Sequence, residues 1–184
     1  MKKPTDGYTR FSIALHWLTA LMLFAVFPLG IYMHELPLSP HKLKLYSWHK
    51  WLGVTIFVVI ISRLFWRITH QPAFTQDSIK EWERRLAGTV HVILYILIIS
   101  IPLEGWLMSS AAGFKVVYLG RFPLPELIGK DEHLAESLKF IHKLLNISLL
   151  AAFALHVGGV LKHLIIDRDR TIVARMIPFM KRGK

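Results

Sequence analysis

Four runs of predominantly apolar residues, near 11–33, 48–68, 86–108 and 140–161, dominate this chain. About twenty such residues are what an α-helix needs to cross the hydrocarbon layer of a bilayer. A segment in lipid must satisfy its own backbone hydrogen bonds, so the runs predict helices and not open strands. The expected fold class is all-α: a transmembrane four-helix bundle forming one integral-membrane domain over residues 1–184. Composition agrees, because 53% hydrophobic residues in a chain of 184 is more apolar surface than a soluble domain of that size hides. The first run follows Lys2, Lys3 and Arg10. It is too long for the core of a signal peptide and lacks an A-x-A site, so it reads as a retained span.

Charge sets the expected orientation. Of the 23 Lys and Arg, fifteen fall at the N-terminus, around the second link and at the C-terminus, and eight in the other two links. The richer side faces the cytoplasm, so both termini are expected there, as in a multi-pass protein of a bacterial inner membrane. The net charge of +11 then reflects inside-positive anchoring and attraction to anionic membrane lipid, and calls for no nucleic acid partner.

Four histidines, His16, His49, His142 and His156, lie inside or at the mouths of these runs, where an ionisable side chain is costly and marks function. His142 and His156 are fourteen residues apart, close to four turns, so they share a helix face about 21 Å apart along the axis. With alternate spans antiparallel, His16 lies at the depth of His156 and His49 at the depth of His142. Facing helices of a bundle can thus offer two pairs of imidazoles, the ligand set of a low-spin b-type haem, at two levels. Cysteine is absent, which excludes iron–sulfur clusters, thiolate zinc and covalent CxxCH attachment. The four histidines are therefore the expected metal ligands of two non-covalent haem b groups, iron protoporphyrin IX, in the bundle core.

The same fourteen-residue step links His16 to Gly30, His91 to Gly105 and His49 to Arg63. Gly30 and Gly105 would fall at the external level, where a missing side chain lets a flat macrocycle approach the backbone. Arg63 would face inward at the cytoplasmic level, where a guanidinium can pair with haem propionates. Helix packing for the glycines and snorkelling for Arg63 are the plainer alternatives.

The segments R-F-S-I-A-L-H-W (Arg10–Trp17), W-H-K-W-L-G (Trp48–Gly53), S-R-L-F-W-R (Ser62–Arg67), H-V-I-L-Y (His91–Tyr95), I-H-K (Ile141–Lys143) and A-L-H (Ala154–His156) together resemble the bacterial cytochrome b561 family of small dihaem membrane cytochromes. The resemblance implies that His16 with His156, and His49 with His142, each hold one haem b. In one branch it implies an oxidoreductase that takes electrons from superoxide, a small periplasmic donor, and passes them to bound ubiquinone. No catalytic acid–base or nucleophile set is legible. The competing class is a membrane-anchor cytochrome b subunit that passes electrons between the quinone pool and a dehydrogenase, hydrogenase or soluble cytochrome.

His91 lies near the depth of His16 and His156, where it could replace one of them on iron, donate a hydrogen bond to a quinone carbonyl, or simply pack. Glu104 reads as a wet interfacial carboxylate, with proton handling as the alternative. His163 is a weaker propionate or quinone candidate, and His34, His41, His70 and His133 read as solvated. The six tryptophans suggest an interfacial belt, and I-K-E-W-E-R-R (Ile79–Arg85) a short surface helix. Lys42, Lys44, Lys50 and Lys143 could steer a small anion inward, although solvation at the headgroups explains them as well.

Overall fold

The computed structural model describes residues 8–70, 80–169 and 173–177. Four long helices account for most of it: α1 (Arg10–Glu35), α2 (Pro40–Thr69), α3 (Glu81–Ala111) and α4 (Glu132–Leu161). Each is long and apolar enough to cross a membrane. A five-residue π-helical turn, Lys162–Ile166, extends α4, and a small antiparallel hairpin pairs β1 (Val117–Tyr118) with β2 (Phe122–Pro123) in the α3–α4 connection.

Local chemistry fixes the ends. Thr9, Ser39 and Asp131 cap α1, α2 and α4 by accepting hydrogen bonds from the backbone N–H groups of Ser12, Lys42 and Leu134, groups that would otherwise lack a partner in the first turn. Pro40 stands in the first turn of α2, where its missing N–H costs nothing. Past the end of α3, Gly113 adopts φ +74°, a left-handed conformation suited to glycine.

Polar helix ends account for two departures from the hydropathy pattern. The capped start of α2 lies well before Trp48, so most of the expected first link is helix. Glu81, Trp82, Glu83, Arg84 and Arg85 form the first turns of α3 and not a separate surface helix; Ile79 lies outside the described residues. Glu81 pairs with both Arg84 and Arg85, three and four residues on, which extends the helix beyond its apolar window.

The helices pack α1 on α2, α2 on α3 and α3 on α4. Their common core is Ile56, Ile60, Leu97, Ile98, Leu149 and Ala152, flanked by Met22, Leu23, Val26, Leu94 and Leu145. Ile56 lies seven residues after His49, and Leu149 seven after His142 and seven before His156. Two turns is about 10 Å, so the core is an apolar layer midway between the two histidine levels. Outside it, Phe24, Phe65 and Phe140 are more than half exposed, as side chains facing lipid should be.

At the face bearing the termini, hereafter the terminus face, Trp66 Nε1 donates to Thr9 Oγ1 (2.9 Å) and Trp17 Nε1 to the Met176 carbonyl (2.7 Å). At the opposite, loop face, Trp51 Nε1 donates to the Val117 carbonyl (2.7 Å) and Trp106 Nε1 to the Pro125 carbonyl (3.0 Å). These four indoles tie connecting segments to the bundle, beyond the interfacial anchoring expected of them. Trp48 and Trp82 remain exposed.

Ile60 is fully buried in the mid-layer. Lipid is as apolar as the core, so Ile60→Ala forfeits chiefly packing and is expected to cost about 1–3 kcal/mol. Unfolding by denaturing detergent from mild micelles checks this; a midpoint equal to the parent's would show that the layer is not packed as described.

Candidate haem sites

At the terminus-face level, α1, α3 and α4 bring His16, His91 and His156 together, and α2 adds Arg63. The His16 and His156 ring centroids are 6.3 Å apart, and those of His91 and His156 5.1 Å. Imidazole nitrogens bind first-row metals at about 2.0–2.1 Å, so rings on opposite sides of one metal would have centroids roughly 6.4 Å apart and rings at a tetrahedral angle roughly 5 Å. The His16–His156 separation fits the first arrangement and the His91–His156 separation the second.

One ring nitrogen each of His16 and His91 already has a partner. An Arg63 guanidinium nitrogen lies 2.9 Å from His16 Nδ1, and the guanidinium also sits over Tyr95 at 5.3 Å from the ring centre. Arg63 thus faces inward as the spacing predicted, but it engages a histidine. His91 Nδ1 lies 2.7 Å from the Ala87 carbonyl. A carbonyl only accepts, so the His91 proton sits on Nδ1 and Nε2 keeps its lone pair. Of the three roles open to His91, donation to a quinone carbonyl is the one this tautomer does not serve, because the remaining nitrogen of the neutral ring is an acceptor.

At the loop-face level stand His49 of α2 and His142 of α4, each seven residues from a residue of the mid-layer. Each packs against one of the two glycines. A β-carbon on Gly30 would stand 3.1 Å from His49 Cε1, and one on Gly105 3.3 Å from His142 Cε1. The glycines lie at the level the fourteen-residue step gave them, and what they spare is an imidazole ring. His49 Nδ1 is buried and makes no hydrogen bond of standard geometry, although the ring interacts with the Val26 backbone. The donor set suits haem: four imidazoles, drawn from different helices at each of two levels, and no thiolate.

His142 shows a feature the sequence did not reveal. Its Nδ1 lies 2.5 Å from Glu104 Oε2, and Glu104 is only 8% exposed. The reading of Glu104 as a wet interfacial group is therefore wrong; α3 carries it inward against α4. The one available signal was a carboxylate inside an apolar run beside Gly105.

His163, expected as a propionate or quinone candidate, is otherwise engaged. Its Nδ1 lies 2.7 Å from Asp167 Oδ2, and Lys162 Nζ bonds both Asp167 and Glu83 at 2.7 and 2.6 Å. The hydrogen bond from Lys162, above all, holds the Asp167 carboxyl below the usual carboxylate range. Glu83, His163 and Asp167 could share a cation by position, but the lysine ammonium already occupies that role. The group is an ion-paired knot tying α3 to the end of α4.

Four apolar spanning helices that present paired histidines at two depths define a membrane protein of the b-cytochrome type. Comparison with known proteins gives the family: a model described as prokaryotic cytochrome b561 matches residues 7–179, and the chain belongs to that family. It is 29% identical over 170 residues to cytochrome b561 homolog 2 of Escherichia coli, covering 91% of this chain and 89% of the relative. It is 26% identical over 188 residues to E. coli cytochrome b561 homolog 1 (96% and 99%). A Yersinia pestis protein named "Probable superoxide oxidase CybB" is 24% identical over 179 residues (96% and 98%). Membership implies b-type haem and electron transport in a multi-pass membrane protein.

Gly30→Val would force a branched side chain into the His49 ring. It is expected to lower haem content by up to half while the terminus-face centre keeps its spectrum, as read from the pyridine haemochrome and from low-temperature α-bands. Full haem content would show that the close approach at Gly30 is dispensable.

Proposed function

We propose that the protein carries electrons across the bacterial inner membrane through two bis-histidine haem b groups, His49 with His142 at the periplasmic loop face and His16 with His156 at the cytoplasmic terminus face. The donor is superoxide and the acceptor ubiquinone. The observation that carries this reading is the stacking of two imidazole pairs on either side of one apolar layer, with His16 and His156 separated by 6.3 Å. The bound haems supply a one-electron couple at each level. In balance, two superoxide anions lose one electron each and become dioxygen, and one quinone gains both electrons with two protons.

Several features support the acceptor side. A groove of about 640 Å³ opens along α2 and α3, lined by Leu64, Arg67, Gly88, His91, Tyr95 and Ile99. It is predominantly apolar, as an isoprenoid quinone requires; Arg67, His91 and Tyr95 are its polar groups toward the terminus face, and Ser100 lies farther along α3. There His91 Nε2 can accept a hydrogen bond from a quinol hydroxyl. Arg67, whose guanidinium lies 5.9 Å from the Tyr95 ring centre, adds positive charge suited to a reduced, anionic quinone head.

Arg63 fits a propionate-pairing role by exclusion. An imidazole that ligates iron through Nε2 carries its proton on Nδ1 and cannot accept a hydrogen bond there. Ligation by His16 through Nε2 therefore releases the Arg63 guanidinium, and a propionate is the anion within the haem that can take it. On the donor side, Lys42 bonds the His34 and Leu36 carbonyls that end α1, while Lys44 and Lys50 lie over Trp48 and Phe114. These contacts fix three cations near the loop-face level, where they favour the approach of a small anion. The relative named as a probable superoxide oxidase supports the choice of superoxide.

The purified protein is expected to contain two low-spin haems per chain and to be reduced by superoxide and by ubiquinol in stopped-flow mixing. His142→Ala should lose the loop-face haem and His16→Ala the terminus-face haem. A variant retaining both low-spin haems refutes the assignment. Reduction only through a co-purifying dehydrogenase or hydrogenase subunit would instead make the chain a membrane anchor.

A further inference from the structure

At each histidine level an ionisable side chain from a neighbouring helix meets a ring. At the terminus face the cation Arg63 reaches His16 at 2.9 Å; at the loop face the carboxylate of Glu104 reaches His142 at 2.5 Å. We propose that Glu104 is a positioning residue for the loop-face haem, and that its carboxylate lowers that haem's potential relative to a neutral side chain at the same place. The inference rests on the dihaem reading above and adds to it the residue that orients and tunes one ligand.

The geometry assigns Glu104 the orienting role in three ways. With Glu104 ionised, Oε2 accepts from the His142 Nδ1–H, and Nε2 is left with the lone pair that a metal needs. Gly105, the next residue, meets the same ring at Cε1, so α3 holds the imidazole at two of its atoms. The second oxygen, Glu104 Oε1, is buried with no hydrogen-bond partner among the described residues. A carboxylate in that position is costly unless positive charge lies nearby, and a ferric haem core carries one positive charge more than a ferrous one.

The sign of the effect follows. A carboxylate bonded to the ligand stabilises the ferric state and makes the imidazole a stronger electron donor, which lowers the potential. At the other level the Arg63 guanidinium, by pairing with a propionate, would offset that anion's charge and raise the potential. In an interior of low dielectric such charges act strongly; Lys143 is exposed, whereas Lys50, beside His49, is half-buried and acts at the loop-face level with the opposite sign to Glu104, so each haem's shift is read against its own parent value.

Potentiometric titration of the holoprotein tests this, with each haem assigned through His142→Ala and His16→Ala. Glu104→Gln keeps an acceptor oxygen and removes the charge. It is expected to raise the loop-face midpoint, leave the terminus-face midpoint in place and shift the low-spin electron paramagnetic resonance of the ferric loop-face centre. Glu104→Asp should return most of the shift, and Arg63→Leu should lower the terminus-face midpoint. Loss of the loop-face haem alone in Glu104→Gln, restored in Glu104→Asp, also supports the positioning role. Unchanged potentials and resonance in Glu104→Gln overturn it, as does equal loss of both haems in Gln and Asp variants. The dihaem reading fails differently, through a parent protein with one haem or a His142→Ala variant with two.

Discussion

Placing an imidazole inside a lipid-embedded bundle is the constraint from which the rest of this structure follows. A histidine there must have its ring nitrogens bonded or ligated, and a single helix cannot do this for its own side chain except by turning back to a carbonyl, as His91 does with Ala87. The other four therefore depend on neighbouring helices. That requirement sets the depth at which helices must match, and it explains why α4, which contributes a histidine at each level, is the helix against which the others must be registered. The apolar layer of Ile56, Ile60, Leu97, Ile98, Leu149 and Ala152 serves the same constraint, because it holds the two levels apart and keeps water from connecting them.

Depth was legible in the sequence because helix rise is uniform. The step of fourteen residues placed Gly30, Gly105 and Arg63 at the right levels without knowledge of any contact, and hydropathy windows located the four spans. Helix ends were less legible: α2 and α3 both begin outside their apolar windows, where capping by Ser39 and pairing of Glu81 with Arg84 and Arg85 extend the helix in polar surroundings. Hydropathy reports where lipid is, and local hydrogen bonding decides where a helix starts.

Rotation was not legible at all. Glu104 and His142 are thirty-eight residues apart, and whether the carboxylate meets the ring or the headgroups depends on how α3 turns about its own axis against α4. Nothing in a single sequence fixes that angle. The same holds for the tautomer of His91 and for the bond between Arg63 and His16, each of which depends on a contact of a few ångströms. Fold class and the depth of each histidine follow from spacing, whereas the groups that touch the histidines follow from packing.

This division bears on how one fold can serve different redox tasks. The four histidines and their levels are determined by helix geometry and leave little freedom, since moving one by a residue turns it 100° away from its partner. The residues that touch them are not so bound. A carboxylate at position 104 and a guanidinium at position 63 each sit at a contact that an apolar side chain of similar size could occupy without breaking a span. Charge at these two positions can therefore vary while the cofactor frame stays fixed. Replacing the carboxylate or the guanidinium by a neutral group would change the charge at one histidine level without moving a histidine.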